Sequence, residues 1–321
     1  MSNTDTTTIT RHDAFATLGT PLLSTTSAQE ALEAGGLANW NVRKAPVFAT
    51  DPISGQTIEM PDRRSVIFDR PDGKLGYLGD VGRQHTTIQN EEQIEVMNMF
   101  ATEAGATFET AGIARGGRKV FVTMKLPGHY RIGGTDLVDN YVAGLNSHDG
   151  SAFKLMVTPL RFACMNMLNV ALPSASQLIT VRHTRAASVK LREEVLAMLD
   201  QTFIYLDEFQ ATAERLAATD LSIDRFQEII EREFGAGEEA SAAAITRAEN
   251  RTGEMLSLFS QSATNSGIRD TAWAGFNALT EWSDHFAPTR GDDPDASRAE
   301  RAIYDPAFKN RALDIMLGVA A

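Results

Sequence analysis

The chain has 321 residues, 43% of them hydrophobic and 22% charged, with a formal net charge of −12. This length admits one large domain or two moderate ones, and the composition excludes a disordered chain. No apolar run approaches the roughly 20 residues of a membrane helix, and the single cysteine, Cys164, excludes an internal disulfide and a cysteine zinc cluster.

The opening residues, Met1 to Arg11, are rich in Ser and Thr and lack the basic and apolar stretches of a signal peptide, so a cytoplasmic location is expected. Residues 1–44 read as a tail leading into a short helix, started by a capping box at Ser27-Ala-Gln-Glu30 and stopped by Gly35-Gly36. Residues 46–79 read as two hairpins, turning at Asp51-Pro52-Ile53-Ser54-Gly55 and at Arg70-Pro71-Asp72-Gly73-Lys74. A helix follows, capped by Asn90 with Gln93 in the return position, apolar at Ile94, Met97, Phe100 and Ala104, and closed by Gly105.

Strands at 107–114 and 119–126 then flank the turn Arg115-Gly116-Gly117-Arg118-Lys119. In the second strand Val120, Val122, Met124 and Leu126 share the core face. Two further strands, 138–145 and 152–157, bracket the polar loop 146–151. Thr158-Pro159 has the form of an N-cap followed by proline at the first helical position, so a helix is predicted from there through Ala171. A strand at 178–181 follows.

From Ala187 the pattern becomes helical. Apolar stripes predict helices ending near Ala218, over 223–234, within 237–260 and around Trp273–Phe286. A polar loop is expected over 289–298 and a last helix over 306–319. The fold class is therefore α+β, an antiparallel sheet with packed helices followed by a mostly helical C-terminal region. The expected units are a tail (1–44), an α+β core domain (45–186) and a helical region (187–321).

Charge is unevenly spread. Gly112–Arg192 holds 11 Lys/Arg against 3 Asp/Glu, leaving 19 against 39 for the rest. A cationic segment in an acidic frame can gather phosphate while the whole stays soluble. Arg115, Arg118 and Lys119 are not required by their turn. With Lys125, Lys154, Arg161, Arg182 and Arg185 they make a candidate nucleic-acid-binding track.

Phosphate-loop, dinucleotide, nucleophile-elbow and HExxH motifs are absent, and neither a cofactor nor a metal is expected. Cys164 reads as an inert buried thiol, and Pro71-Asp72-Gly73-Lys74 as a turn rather than a nuclease signature. His148 with Asp149 could form an acid/base pair, and Glu281, Asp284 and His285 a metal site. Backbone hydrogen bonding in the first case and a charged helix end in the second are the simpler readings.

Leu37-Ala-Asn-Trp40-Asn-Val42, Glu109–Gly112 and Gly116–Phe121 belong to a longer pattern. Asn146–Ser151, Thr158–Arg161 with Cys164 and Asn166, Arg182–Thr184, and Ala272–His285 complete it. With these motifs the chain resembles, over about residues 18–320, the phage/plasmid-like family known as domain of unknown function 932. The resemblance implies a mobile-element origin and brings no catalytic residues. A helix, three antiparallel strands with a basic hairpin and an Arg/Asn-bearing helix are, more loosely, similar in order to ring-forming single-strand annealing recombinases.

The expected function is a non-enzymatic, homo-oligomeric protein that binds and anneals single-stranded DNA in recombination or replication. The alternatives are an acidic scaffold without nucleic-acid binding and a nucleic-acid-processing enzyme.

Overall fold

The computed structural model describes residues 13–163, 165–172, 178–184, 187–237, 239–290 and 292–321. The fold is α+β. Among the described residues, seven strands make one antiparallel sheet and three make another.

The N-terminal stretch is more structured than a tail. After α1 (Ala14–Leu18), β1 (Gly19–Pro21) lies along β5 (Thr107–Ala114), with Gly19 opposite Gly112. Neither element has the length to announce itself, since each is set by tertiary pairing. The predicted capping box is present at the start of α2 (Ala28–Ala34). The two predicted hairpins form a meander of β2 (Arg43–Thr50), β3 (Thr57–Asp69) and β4 (Leu75–Gly82).

Helix α3 (Asn90–Ala104) begins one residue earlier than predicted at its cap, which is Gln89 with Glu92 returning the bond. Asn90 is freed for the interior. Gly105 closes the helix in a left-handed conformation, φ 66°. The basic turn closes a hairpin between β5 and β6 (Lys119–Ile132) through a single 3-10 turn at Arg115–Gly117. β7 (Asp136–Ser147) and β8 (Phe153–Arg161) continue the sheet, and β10 (Leu178–Val181) closes its far edge.

The predicted helix over 158–171 is not formed. Thr158-Pro159 lies inside β8, and the short β9 (Asn166–Met167) folds back onto Leu160 and Arg161. Pro159 is tolerated because of where its missing N–H falls. Its carbonyl accepts from Leu168 N at 2.7 Å, so its amide side faces the gap between β10, whose pairing ends at Met156, and β9, whose pairing begins at Leu160. The Leu168 carbonyl, which an N–H at position 159 would face, accepts from Val170 N at 2.9 Å instead, so the missing donor leaves no acceptor unpaired there. Cys164 lies outside the described residues.

The C-terminal helices are α4 (Ala187–Ala217), α5 (Ile223–Phe234), α6 (Ala242–Ser260), α7 (Ala272–Glu281), α8 (Pro294–Tyr304) and α9 (Ala307–Val319). α7 runs on as a π-helical turn over Trp282–Phe286. α8 starts within the stretch expected to be a loop, where the Asp293 side chain accepts from Ala296 N and Pro294 occupies the first turn.

Three hydrophobic clusters hold these elements together and cross both expected unit boundaries. One packs α2, α3 and the meander with Val120, Val122 and Met124 of the sheet and with Val195, Met198 and Tyr205 of α4. A second joins Ile132, Val138 and Leu168 to Phe209, Leu216 and the aromatic face of α7. The third fills the opposite face of the sheet, where Phe121, Leu145 and Met156 meet Phe15 of α1 and Ala299, Ala302 and Ile303 of α8. Both faces of β6 are therefore covered over Lys119–Leu126, not one.

Candidate nucleic-acid interface

The polar loop between β7 and β8 is the hinge of the site. Alternation along β6 puts Lys119 on the same side as Phe121, so its ammonium turns into the α8 side of the sheet. It is buried, donating to Ser147 Oγ at 2.9 Å and Asp149 Oδ1 at 3.3 Å, and it also contacts Ser151 Oγ. Burial pulls its pKa below that of an ordinary lysine, against the opposing pull of Asp149. Burial also works to raise the Asp149 carboxyl. Hydrogen bonds from Ser151 and the charge of Lys119 outweigh it and leave that group below the usual range.

Tyr304, at the end of α8, caps the arrangement. The Arg115 guanidinium lies 5.4 Å and the Lys119 ammonium 5.9 Å from the centre of its ring. Its buried hydroxyl has no hydrogen-bond partner among the described residues. Arg115 is in addition tied to α8, its backbone N and its Nε lying 3.2 and 3.1 Å from the two carboxylate oxygens of Glu300. Lys154 comes from the neighbouring part of β8, close enough to depress the Lys119 pKa further. Thr180 lies opposite Lys154, and Arg182, two residues on, stands exposed at the end of β10. Arg118 is exposed at the hairpin tip, and its carbonyl accepts from His148 N at 2.8 Å.

Five of the eight predicted cations, Arg115, Arg118, Lys119, Lys154 and Arg182, thus gather at one end of the sheet. Lys125 sits further along β6 in an ion pair with Asp139 at 2.7 Å. Arg161 reaches no solvent. It is fully buried between Asp136 and the Thr264 carbonyl, so it serves the interior and not a DNA surface. Arg185 lies outside the described residues.

Behind the loop lies a histidine cluster. His148 is fully buried and does not pair with Asp149. Its Nε2 is 3.0 Å from Asn90 Oδ1, and Asn90 in turn donates to the Leu37 carbonyl. His85 and His183 stack with ring centres 4.7 Å apart, and Lys44 Nζ donates to the His85 carbonyl. Burial lowers all three imidazole pKa values, that of His148 to about 3 and that of His183 to about 4. His148 and His183 are buried and His85 is half-buried, and the downward shifts leave the rings neutral at neutral pH.

Glu281, Asp284 and His285 do not assemble a metal site. Asp284 accepts from buried Lys309 at 3.0 Å, and Glu281 accepts from Thr264 Oγ1 at 2.7 Å. Among the described residues no group of three or more such ligands is placed to hold a metal. Tyr304 and Glu300 escaped the sequence reading because they lie on α8. His85 and His183 are nearly a hundred residues apart and carry no local signal.

The fold and this surface define an α+β protein with a cationic sheet end tied to a C-terminal helix. The chain belongs to the family described as domain of unknown function (DUF932), whose model matches residues 77–303, from β4 into α8. No curated protein and no solved structure matches it. Among the described residues no helix is long and apolar enough to cross a membrane.

Proposed function

We propose that this is a non-enzymatic, oligomeric single-stranded DNA-binding protein of a mobile element, acting in strand annealing during recombination or replication. The observation that carries the reading is the placement of Arg115 and Lys119 over the Tyr304 ring, with Lys154 near Lys119 and exposed Arg118 and Arg182 at the same end of the sheet. Cations set along a sheet end bind the repeating phosphates of a single strand without reading its sequence, and need no catalytic group. On the meander, Tyr77 stands exposed within the electrostatic reach of Arg118 and offers a surface for a base to stack on.

The test is fluorescence anisotropy with a labelled oligothymidylate across a salt series. Binding should weaken steeply with salt, and the triple variant Arg118→Ala, Lys154→Ala, Arg182→Ala should lose both affinity and most of the salt slope. Absence of binding at low salt, or binding indifferent to salt, overturns the proposal.

A further inference from the structure

Arg115 opens a run of three residues with positive φ, at 53°, followed by Gly116 at 63° and Gly117 at 92°. A residue with a side chain rarely adopts that conformation, and such residues cluster where a ligand is clamped. Here the turn carries the Arg115 N–H beyond the β5–β6 ladder, whose last pair is Ala114 with Lys119. That N–H goes to Glu300. One carboxylate oxygen lies 3.2 Å from Arg115 N and the other 3.1 Å from its Nε, so a single residue grips both oxygens of one anion. Tyr304, one helical turn further along α8, steadies the same guanidinium, its ring centre 5.4 Å away.

The anion in this grip is replaceable. The Glu300 carboxylate has no other partner among the described residues, and the pair is open to water, with Arg115 47% and Glu300 26% exposed. An ion pair so exposed is worth little. Helix α8 does not hang on it, since Ala299, Ala302 and Ile303 anchor the helix in the third cluster and Asp293 caps its start. The Glu300 side chain can thus swing away while the helix stays. Approach from solvent is unobstructed. Gly116 is exposed, with nothing within 4 Å of where a Cβ would stand, and Arg118 is exposed two residues on.

We infer that the Arg115 N–H and guanidinium form a seat for one phosphate group, and that Glu300 is an internal stand-in that closes the seat until phosphate displaces it. A phosphate offers the same edge of two oxygens, with further acceptors left over for Arg118. The group comes either from a nucleic-acid strand or from a small phosphorylated compound. The first source rests on the DNA-binding reading above, whereas the seat itself does not.

The test is amide NMR on the deuterated full chain, following the Arg115 N–H through a titration with inorganic phosphate at constant ionic strength. In Glu300→Ala the resonance should move saturably, with an apparent Kd severalfold lower than in the parent. Glu300→Gln, which keeps the shape and loses the charge, should change the Kd in the same direction, and it decides the matter should Glu300→Ala not fold. Adding Arg115→Gly, which suits the left-handed turn and keeps its N–H, should abolish the response at position 115. A Kd equal to the parent's in the Glu300 variants, a response that survives loss of the guanidinium, or a shift centred away from residues 115–118 overturns the inference. Oligothymidylate added to the phosphate-loaded Glu300→Ala protein separates the two sources. Displacement of phosphate at residue 115 assigns the seat to the strand. Phosphate binding without displacement upholds the seat and counts against the strand reading alone.

Discussion

Arg161 and Asp136 face each other on adjacent strands, the guanidinium Nε 2.8 and 2.7 Å from the two carboxylate oxygens, with both groups buried. Trp273 Nε1 of α7 donates to the same carboxylate at 2.7 Å, so the pair also fastens a helix to the sheet. Removing one partner strands a buried charge, which typically costs about 3–5 kcal/mol, whereas an apolar replacement of both is far milder. Arg161→Ala should lower stability by that amount in urea unfolding. The double variant Arg161→Met, Asp136→Leu should be less damaged than the single one. Equal damage in both would show that the pair is not what Arg161 contributes.

Acid should destabilise the protein through its histidines. The folded pKa values of His148 (about 3) and His183 (about 4) lie below the ordinary 6.5. Between those limits the unfolded chain binds more protons, so stability is full above about 6.5 and falls as pH drops through the window. For His183 alone the difference corresponds to on the order of 3 kcal/mol. Urea midpoints measured from pH 7 to 4 should fall, and His183→Gln should flatten that dependence. An unchanged slope in the variant would refute the assignment.

Gly112 meets Gly19 where β1 joins the sheet. A Cβ on Gly112 would lie 2.5 Å from the Gly19 Cα, and backbone cannot give way as a flexible side chain would. Gly112→Ala should push β1 off its edge and cost roughly 1–3 kcal/mol, the usual penalty of overpacking. Hydrogen exchange should show loss of protection at the amides of β5 that face β1. Retained protection there would mean that the strands accommodate the methyl group.

Glu300 restrains Arg115 at the sheet end. On the DNA-binding reading, Glu300→Gln removes a charge that competes with phosphate and releases a cation. Affinity for single strands should rise severalfold at low salt, and the salt slope should steepen by about one. Anisotropy titrations read both quantities, and weaker binding by the variant would count against Arg115 as a phosphate contact.

The hairpins and the helical stripes were legible because period-2 and period-3.6 patterns are local. The same local grammar misled at one place and was overlooked at another. Thr158-Pro159 and Asp293-Pro294 carry the same start signal, yet only the second opens a helix. The difference lies in the partners, since Thr158 and Pro159 are held by β7 across the sheet, while residues 294–304 pair with no strand among the described residues. The cations of the site were legible by type but not by fate. Arg161 meets its carboxylate 25 residues away and Arg115 meets one 185 residues away, so no window of sequence could show which of them are neutralised. Alternation along β6 was the one available hint, placing Lys119 with Phe121 on a face that also turned out to be interior.

Helix α4 lends Val195, Met198 and Tyr205 to the cluster under the meander and Phe209, Ala213 and Leu216 to the one around α7. A junction at residue 186 therefore divides the chain by composition and not by construction. Genetic exchange at that point would hand one parent's sheet a helix shaped by the other parent's interior. Viable chimeras between relatives should instead inherit the sheet and α4 as one unit, with their crossovers beyond residue 217.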